Sequence, residues 1–180
     1  VGLGLPLGRI VEIMGQKGAS KTALAFYVLA SAQKQGLQVA FIDTERKASY
    51  DFAAKLGVDL DKLTIAEADT GEQYVDHILD ILDEGKHKVV VVDSIDGLIP
   101  KAILEATAEQ NTMGAKARLV AKLIRKSILP VQKNGICLIC TNQYRQNMMT
   151  GFMETTGGKA LEYYAAVRVQ LKTGEKVIQT

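Results

Sequence analysis

Short apolar runs rich in β-branched residues alternate along the chain with longer stretches whose apolar residues recur at helical spacing. The runs RIVEIM (9–14), QVAFID (38–43), LTIAEA (63–68), KVVVVDS (88–94), GICLICTN (135–142) and AAVRVQL (165–171) predict strands. KVVVVDS and GICLICTN are almost wholly apolar up to their last residues, as expected of strands buried on both faces. Between the runs, 21–35, 71–85 and about 113–133 predict helices, and 48–57 looks helical up to Gly57. In 71–85, Tyr74, Ile78, Leu79, Ile81 and Leu82 fall near one face. Gly36 stops the helix over 21–35. Strand–helix alternation predicts an α/β fold: a mostly parallel twisted sheet with helices on both faces. With 180 residues the chain suits one domain with a substantial core. Such sheets bind ligands at the carboxyl ends of their strands, so chemistry is expected there.

The first predicted strand runs straight into GQKGASKT, residues 15–22, which opens a helix. This is close to the phosphate-binding pattern G-x-x-x-x-G-K-[ST], with Ser20 where the second glycine belongs. Backbone N–H groups at Gly15, Gln16, Lys17, Gly18, Ala19 and Ser20 suit a phosphate cradle at a helix N-terminus. Lys21 suits the β- and γ-phosphates and Thr22 suits Mg²⁺. Ser20 keeps its N–H, but its Cβ is expected to crowd the phosphate or alter the turn. The second strand ends in FIDTE, placing Asp43 and Glu45 where a carboxylate can activate a water. The fourth ends in VVVVDS; Asp93 is expected to serve Mg²⁺, with Ser94 supporting it. The fifth ends in CTNQ, and Gln143 has an amide suited to a γ-phosphate or water.

Composition changes this picture in two places. Net charge is only +2, but residues 1–110 carry 11 basic and 17 acidic side chains, and residues 111–180 carry 11 and 3. That asymmetry points to a polyanion meeting the second half, or to a patchwork surface. Arg118, Lys122 and Arg125 recur at helical spacing and predict one cationic face. The segment 143–158 is polar and glycine-rich yet holds Met148, Met149, Phe152 and Met153, an apolar set suited to wedging or stacking against single-stranded nucleic acid. Cys137 and Cys140 form a C-x-x-C inside an apolar run, with no second pair and no nearby His, so buried strand cysteines are expected. The lack of a disulfide framework fits a reducing, cytoplasmic compartment. No run is long enough to span a bilayer, no signal peptide is visible, and no membrane partner is expected.

GLPLGRIVEIMG, AFIDTE, KLGVD, DTGEQ, VVVVDS, TNQ and ETTGGKAL, in this order and spacing, resemble the RecA recombinase family, above all its bacterial and phage type. The resemblance covers essentially the whole chain. It implies a RecA-like P-loop NTPase core, a DNA-dependent ATPase that binds ATP with Mg²⁺ between subunits. It also implies a homo-oligomeric helical filament on single-stranded DNA that pairs with double-stranded DNA. By position, the resemblance makes Glu45 the general base, Lys21 and Gln143 its catalytic companions, and Thr22 with Asp93 the Mg²⁺ residues. Phe52 lies where an adenine-stacking aromatic is usual, with Ser49 and Tyr50 beside the base. Residues 105–114 and 143–158 match the two DNA loops, implying DNA contacts by Met113, Arg118, Arg125, Arg145, Met148, Phe152, Gly157 and Gly158.

There are departures. Ser20 replaces a glycine, the second loop is about three residues shorter than in bacterial RecA, and Glu162 stands where a basic residue is common. The chain opens at Val1, and the family's N-terminal polymerisation segment and post-core lysines do not fall within these 180 residues. A piece of this extent is expected to bind nucleotide but turn over and assemble poorly. Two other readings stand beside the recombinase: a RecA-fold ATPase acting on protein partners, and a nucleotide-binding module whose hydrolysis Ser20 has impaired. The first needs no basic helix or ETTGG loop. The second leaves the retention of Lys21, Thr22, Glu45 and Asp93 unexplained.

Overall fold

The computed structural model describes residues 4–106, 114–146, 153–155 and 157–174. Six parallel strands form the main sheet: β1 (Arg9–Gly15), β2 (Val39–Asp43), β3 (Leu63–Ala66), β4 (Val89–Asp93), β5 (Cys137–Gln146) and, numbered after the short β6 below, β7 (Val167–Leu171). Their order is β3-β2-β4-β5-β1-β7. Alternation decides what each strand contributes. Ile10, Ala40, Ile42, Val90, Val92, Leu138 and Cys140 face one side. There they pack under α3 (Gly71–Glu84) and α5 (Ala115–Asn134) through Tyr74, Val75, Ile78, Leu82, Leu119, Leu123 and Ile124. Val11, Ile13, Val39, Phe41, Val89, Val91, Cys137 and Ile139 face the other side. α1 (Lys21–Lys34) and α2 (Tyr50–Lys55) cover them with Phe26, Leu29 and Ala53. Each fully buried large side chain in these layers contributes roughly 1.5–3 kcal/mol. The expected two-sided α/β sheet is therefore present.

Local chemistry sets the helix ends. Thr70 and Gln73 form a reciprocal capping box at the start of α3, and Gly85 closes that helix in a left-handed conformation. α2 is shorter than the predicted 48–57, because Ser49 Oγ accepts the Phe52 N–H and starts the helix only at Tyr50. The third strand stops at Ala66 rather than residue 68.

The fifth strand is longer than expected. β5 pairs with β1 as far as Gln143 and with β4 as far as Cys140. Among the described residues it has no parallel neighbour beyond Gln143, and β6 (Met153–Thr155) pairs with it in antiparallel register. Part of the expected second loop is thus strand. α4 (Lys101–Leu104) and α6 (Ala160–Tyr164) are short helices that periodicity did not predict. Cys137 and Cys140 are buried and unpaired, and burial pushes the Cys137 thiol up to about 12, so neither is a ready nucleophile. Among the described residues no helix is long and apolar enough to cross a membrane.

Candidate nucleotide site

Register brings four strand ends to one level: Gly15 lies beside Gln143, and Asp43 beside Asp93. A cavity of about 160 Å³ opens there, lined by Lys17, Gly18, Lys21, Thr22, Asp43, Glu45, Lys47, Ala48, Asp93, Ser94 and Gln143. Of the residues assigned to catalysis or metal from the sequence, Lys21, Thr22, Glu45, Asp93 and Gln143 all meet here.

The loop explains its own composition. A Cβ on Gly15 would sit 2.8 Å from the Leu171 carbonyl oxygen, so β7 leaves no room for a side chain. Ser20 is left-handed, with φ 61° and ψ 28°, and its side chain makes no capping bond. This is why the pattern wants glycine at that position: the turn needs positive φ, which costs an L-residue roughly 1–2 kcal/mol. Ser20 is exposed and outside the cavity lining, and the effect seen is on the turn, where it holds a left-handed conformation. The serine strains the loop without filling it. Lys21 is buried, and its Nζ donates to the carbonyl oxygens of Gly15 (3.0 Å) and Gln16 (2.9 Å). Burial lowers its pKa, while Asp93 and Glu45 pull the other way.

The three carboxylates have three environments. Asp43 is structural: its oxygens accept the backbone N–H groups of Glu45 (3.2 Å) and Ala48 (2.8 Å), fixing the loop after β2. Asp93 accepts hydroxyl bonds from Thr22 (2.6 Å) and from Thr141. Burial pushes its pKa up, and Asp43 and Glu45 push the same way, so the two hydroxyl bonds do not restore the usual value. Burial also pushes Glu45 up, but bonds from Ser94 and Lys47 outweigh it and hold its pKa below the usual range. Glu45 Oε1 accepts Ser94 Oγ at 2.7 Å and Gln143 Nε2 at 3.3 Å. Ser94, expected to support Asp93, therefore supports Glu45 instead.

Mg²⁺ fits this set. Asp93 is a desolvated carboxylate beside a hard hydroxyl oxygen, which is chemistry a divalent cation compensates. No group of three or more His, Cys, Asp or Glu side chains forms a cage among the described residues. Substrate phosphates and water would have to complete the ion's shell, as is usual for Mg²⁺.

Other predicted residues lie elsewhere. Gln16, Ala19 and Ser20 belong to the loop but not to the cavity wall, and Ser49, Tyr50 and Phe52 lie on or before α2, also outside it. Phe52 is 44% exposed, free to meet a flat ligand, while Ser49 is occupied as the helix cap. Arg118, Lys122 and Arg125 are exposed along α5 and line a shallow groove with Lys126. Gly157 and Gly158 are left-handed, φ 86° and 81°, and a Cβ on Gly157 would lie 2.8 Å from Ile95 Cγ2. That packing gives Gly157 a structural reason independent of any ligand. Arg145 lies in β5 opposite Glu154. Met113, Met148 and Phe152 lie outside the described residues.

Sequence reasoning missed Thr141, Lys47 and a buried polar cluster under the site. Glu12, wholly buried in β1, accepts Arg168 Nε at 2.6 Å and Asn142 Nδ2 at 2.8 Å. Asn142 Oδ1 in turn accepts the Gln143 N–H at 2.9 Å. The available signal was a charged residue inside an otherwise apolar strand, which demands a partner.

A model of the RecA N-terminal domain matches residues 1–180. The chain belongs to the RecA family. Among its relatives, Protein RecA of Kineococcus radiotolerans is 42% identical over 172 residues, covering 94% of this chain and 49% of that protein. Protein RecA of Brevibacillus brevis is 40% identical over 177 residues, covering 97% and 50%. Protein RecA of Acholeplasma laidlawii is 38% identical over 179 residues, covering 98% and 54%. The chain thus spans about half the length of the curated relatives it matches. The cavity described above lies within the residues that the RecA N-terminal domain model matches.

Proposed function

We propose that this chain is the ATP-hydrolysing core of a RecA-type recombinase, binding ATP with Mg²⁺ between subunits of a filament and single-stranded DNA through its two loops and α5. One observation carries the reading: Lys21, Thr22, Glu45, Asp93 and Gln143, spread over 123 sequence positions from residue 21 to residue 143, line a single cavity beside a phosphate-loop backbone. The loop's N–H groups and Lys21 would hold the phosphates. Lys21 would first exchange its bonds to the Gly15 and Gln16 carbonyls for phosphate oxygens. Glu45 would orient a water and accept its proton as the water attacks the γ-phosphorus in line, breaking its bond to the bridging oxygen and releasing ADP and inorganic phosphate. Thr22 and Asp93 would hold Mg²⁺, which supplies charge neutralisation for the phosphates. Gln143 touches Glu45 and begins the stretch of β5 that runs to β6, so a γ-phosphate that draws its amide would act on the second loop. The cationic groove of α5 supplies the polyanion contact that the charge asymmetry anticipates.

The test is ATP turnover with and without single-stranded DNA at low salt. DNA-stimulated turnover is expected; Glu45→Gln should lower it about 10²–10⁴-fold while leaving Mg-ATP binding intact. Lys21→Ala should lose both binding and turnover. A protein that binds no DNA at low salt refutes the recombinase reading.

A further inference from the structure

Lys47 has no part in the roles assigned so far, yet it lines the same cavity and touches the carboxylate proposed as the base. Its Nζ lies 3.3 Å from Glu45 Oε2. Glu45 Oε1 is already taken by Ser94 and Gln143, so Lys47 covers the oxygen that remains. The backbone beneath Lys47 is held firmly. Asp43 accepts the N–H groups of Glu45 and Ala48 on either side of it. Arg46, left-handed at φ 52°, is tied to the Ala68 carbonyl and to Asp69. The side chain is therefore an arm on a fixed mount, and it is 77% exposed. An exposed ion pair of this kind contributes little and exchanges readily. A polyphosphate offers a denser negative charge than one carboxylate.

Resting on the nucleotide-site reading, we propose that Lys47 is a phosphate-responsive latch: it covers Glu45 Oε2 and leaves it for the terminal phosphate of a bound nucleoside triphosphate. The exchange uncovers an acceptor oxygen on Glu45 when a third phosphate is present to be attacked. A diphosphate, ending one phosphate short, leaves the latch on Glu45. Lys47 thus becomes a specificity-determining residue for triphosphate over diphosphate.

Equilibrium titrations with fluorescent Mg-ADP and with a fluorescent, non-hydrolysable Mg-ATP analogue test this without requiring turnover. Lys47→Met should weaken the triphosphate about tenfold and the diphosphate less than about twofold. Lys47→Arg, which keeps the charge, should restore most of the preference. Lys34→Met, at the far end of α1, controls for the loss of one positive charge and should leave both affinities unchanged. An unchanged triphosphate-to-diphosphate ratio in Lys47→Met, with binding intact, overturns the latch alone. A wild-type protein that binds neither nucleotide overturns the nucleotide-site reading on which it rests.

Discussion

Two carboxylates are built into the sheet in opposite ways. Glu12, on the β1–β7 side, is wholly buried and has a guanidinium from Arg168 and an amide from Asn142. Asp93, at the end of β4, has two threonine hydroxyls, and its pKa stays above the usual range. Asp93 is also partly exposed, because one side of it faces the cavity. The first arrangement is complete within the fold. The second leaves charge that protein groups do not balance, next to a strained Ser20 and a cluster of lysines. The first acid is satisfied inside the fold, and the second faces the cavity. The difference is legible only once the partners of each acid are known.

The largest effect should come from breaking the completed pair. Arg168→Met strands the Glu12 charge and should cost about 3–5 kcal/mol, read as a loss of denaturation midpoint. Glu12→Gln keeps the shape and the Asn142 contact, and Arg168 retains Glu162 at 3.8 Å as a second partner, so its cost should be smaller, about 1–2 kcal/mol. If both variants are neutral, the contrast with Asp93 fails.

Asp93→Asn should do the reverse, raising stability at neutral pH by about 1 kcal/mol while weakening Mg-dependent nucleotide binding. The pH dependence has a definite sign. A carboxyl whose folded pKa is raised stabilises the fold most below its unfolded pKa, and that contribution is lost as pH rises through the folded value. Thermal melts should therefore show the advantage of Asp93→Asn shrinking as the pH is lowered toward the ordinary carboxylate range. Glu45, held below its usual pKa, has the opposite sense: its contribution is lost as pH falls.

Ser20→Gly relieves the left-handed strain but adds freedom to the unfolded chain, so a net gain of about 0.5–1 kcal/mol is expected from the melting temperature. A loss of stability would mean that the serine makes a compensating contact. The smallest effect belongs to charges outside both clusters. Arg125→Ala on α5 should leave melting unchanged and reduce the salt slope of single-stranded DNA binding by about 0.7.

β2, β4 and the first part of β5 were legible because each is apolar up to the polar residues at its end. Lys21, Thr22, Glu45, Asp93 and Gln143 were legible because those ends are where such sheets bind. Thr141 was harder: a threonine after ICLIC reads as strand, and only the side-by-side packing of β4 and β5 turns it toward Asp93. Glu12 and Arg168 are 156 positions apart, and no local pattern joins them. The β5–β6 pair was missed because the polar, glycine-rich segment around it reads as loop, while its pairing depends on β5 outrunning its parallel neighbours. No pattern in the sequence marks Lys47; only the bonds that Asp43 accepts from the backbone on either side of it fix its place beside Glu45.

The left-handed Ser20 has a kinetic consequence. A loop that relaxed between visits would make each incoming nucleotide wait for a rare conformer, and the capture rate would fall by that conformer's population. Here the strain is sustained by the fold itself, with β7 closed against Gly15 and α1 beginning at Lys21. If the cavity takes nucleotide as proposed, its arrival rate would be governed by diffusion and by access to the cavity mouth, and selectivity among nucleotides would be expressed in how long each one stays.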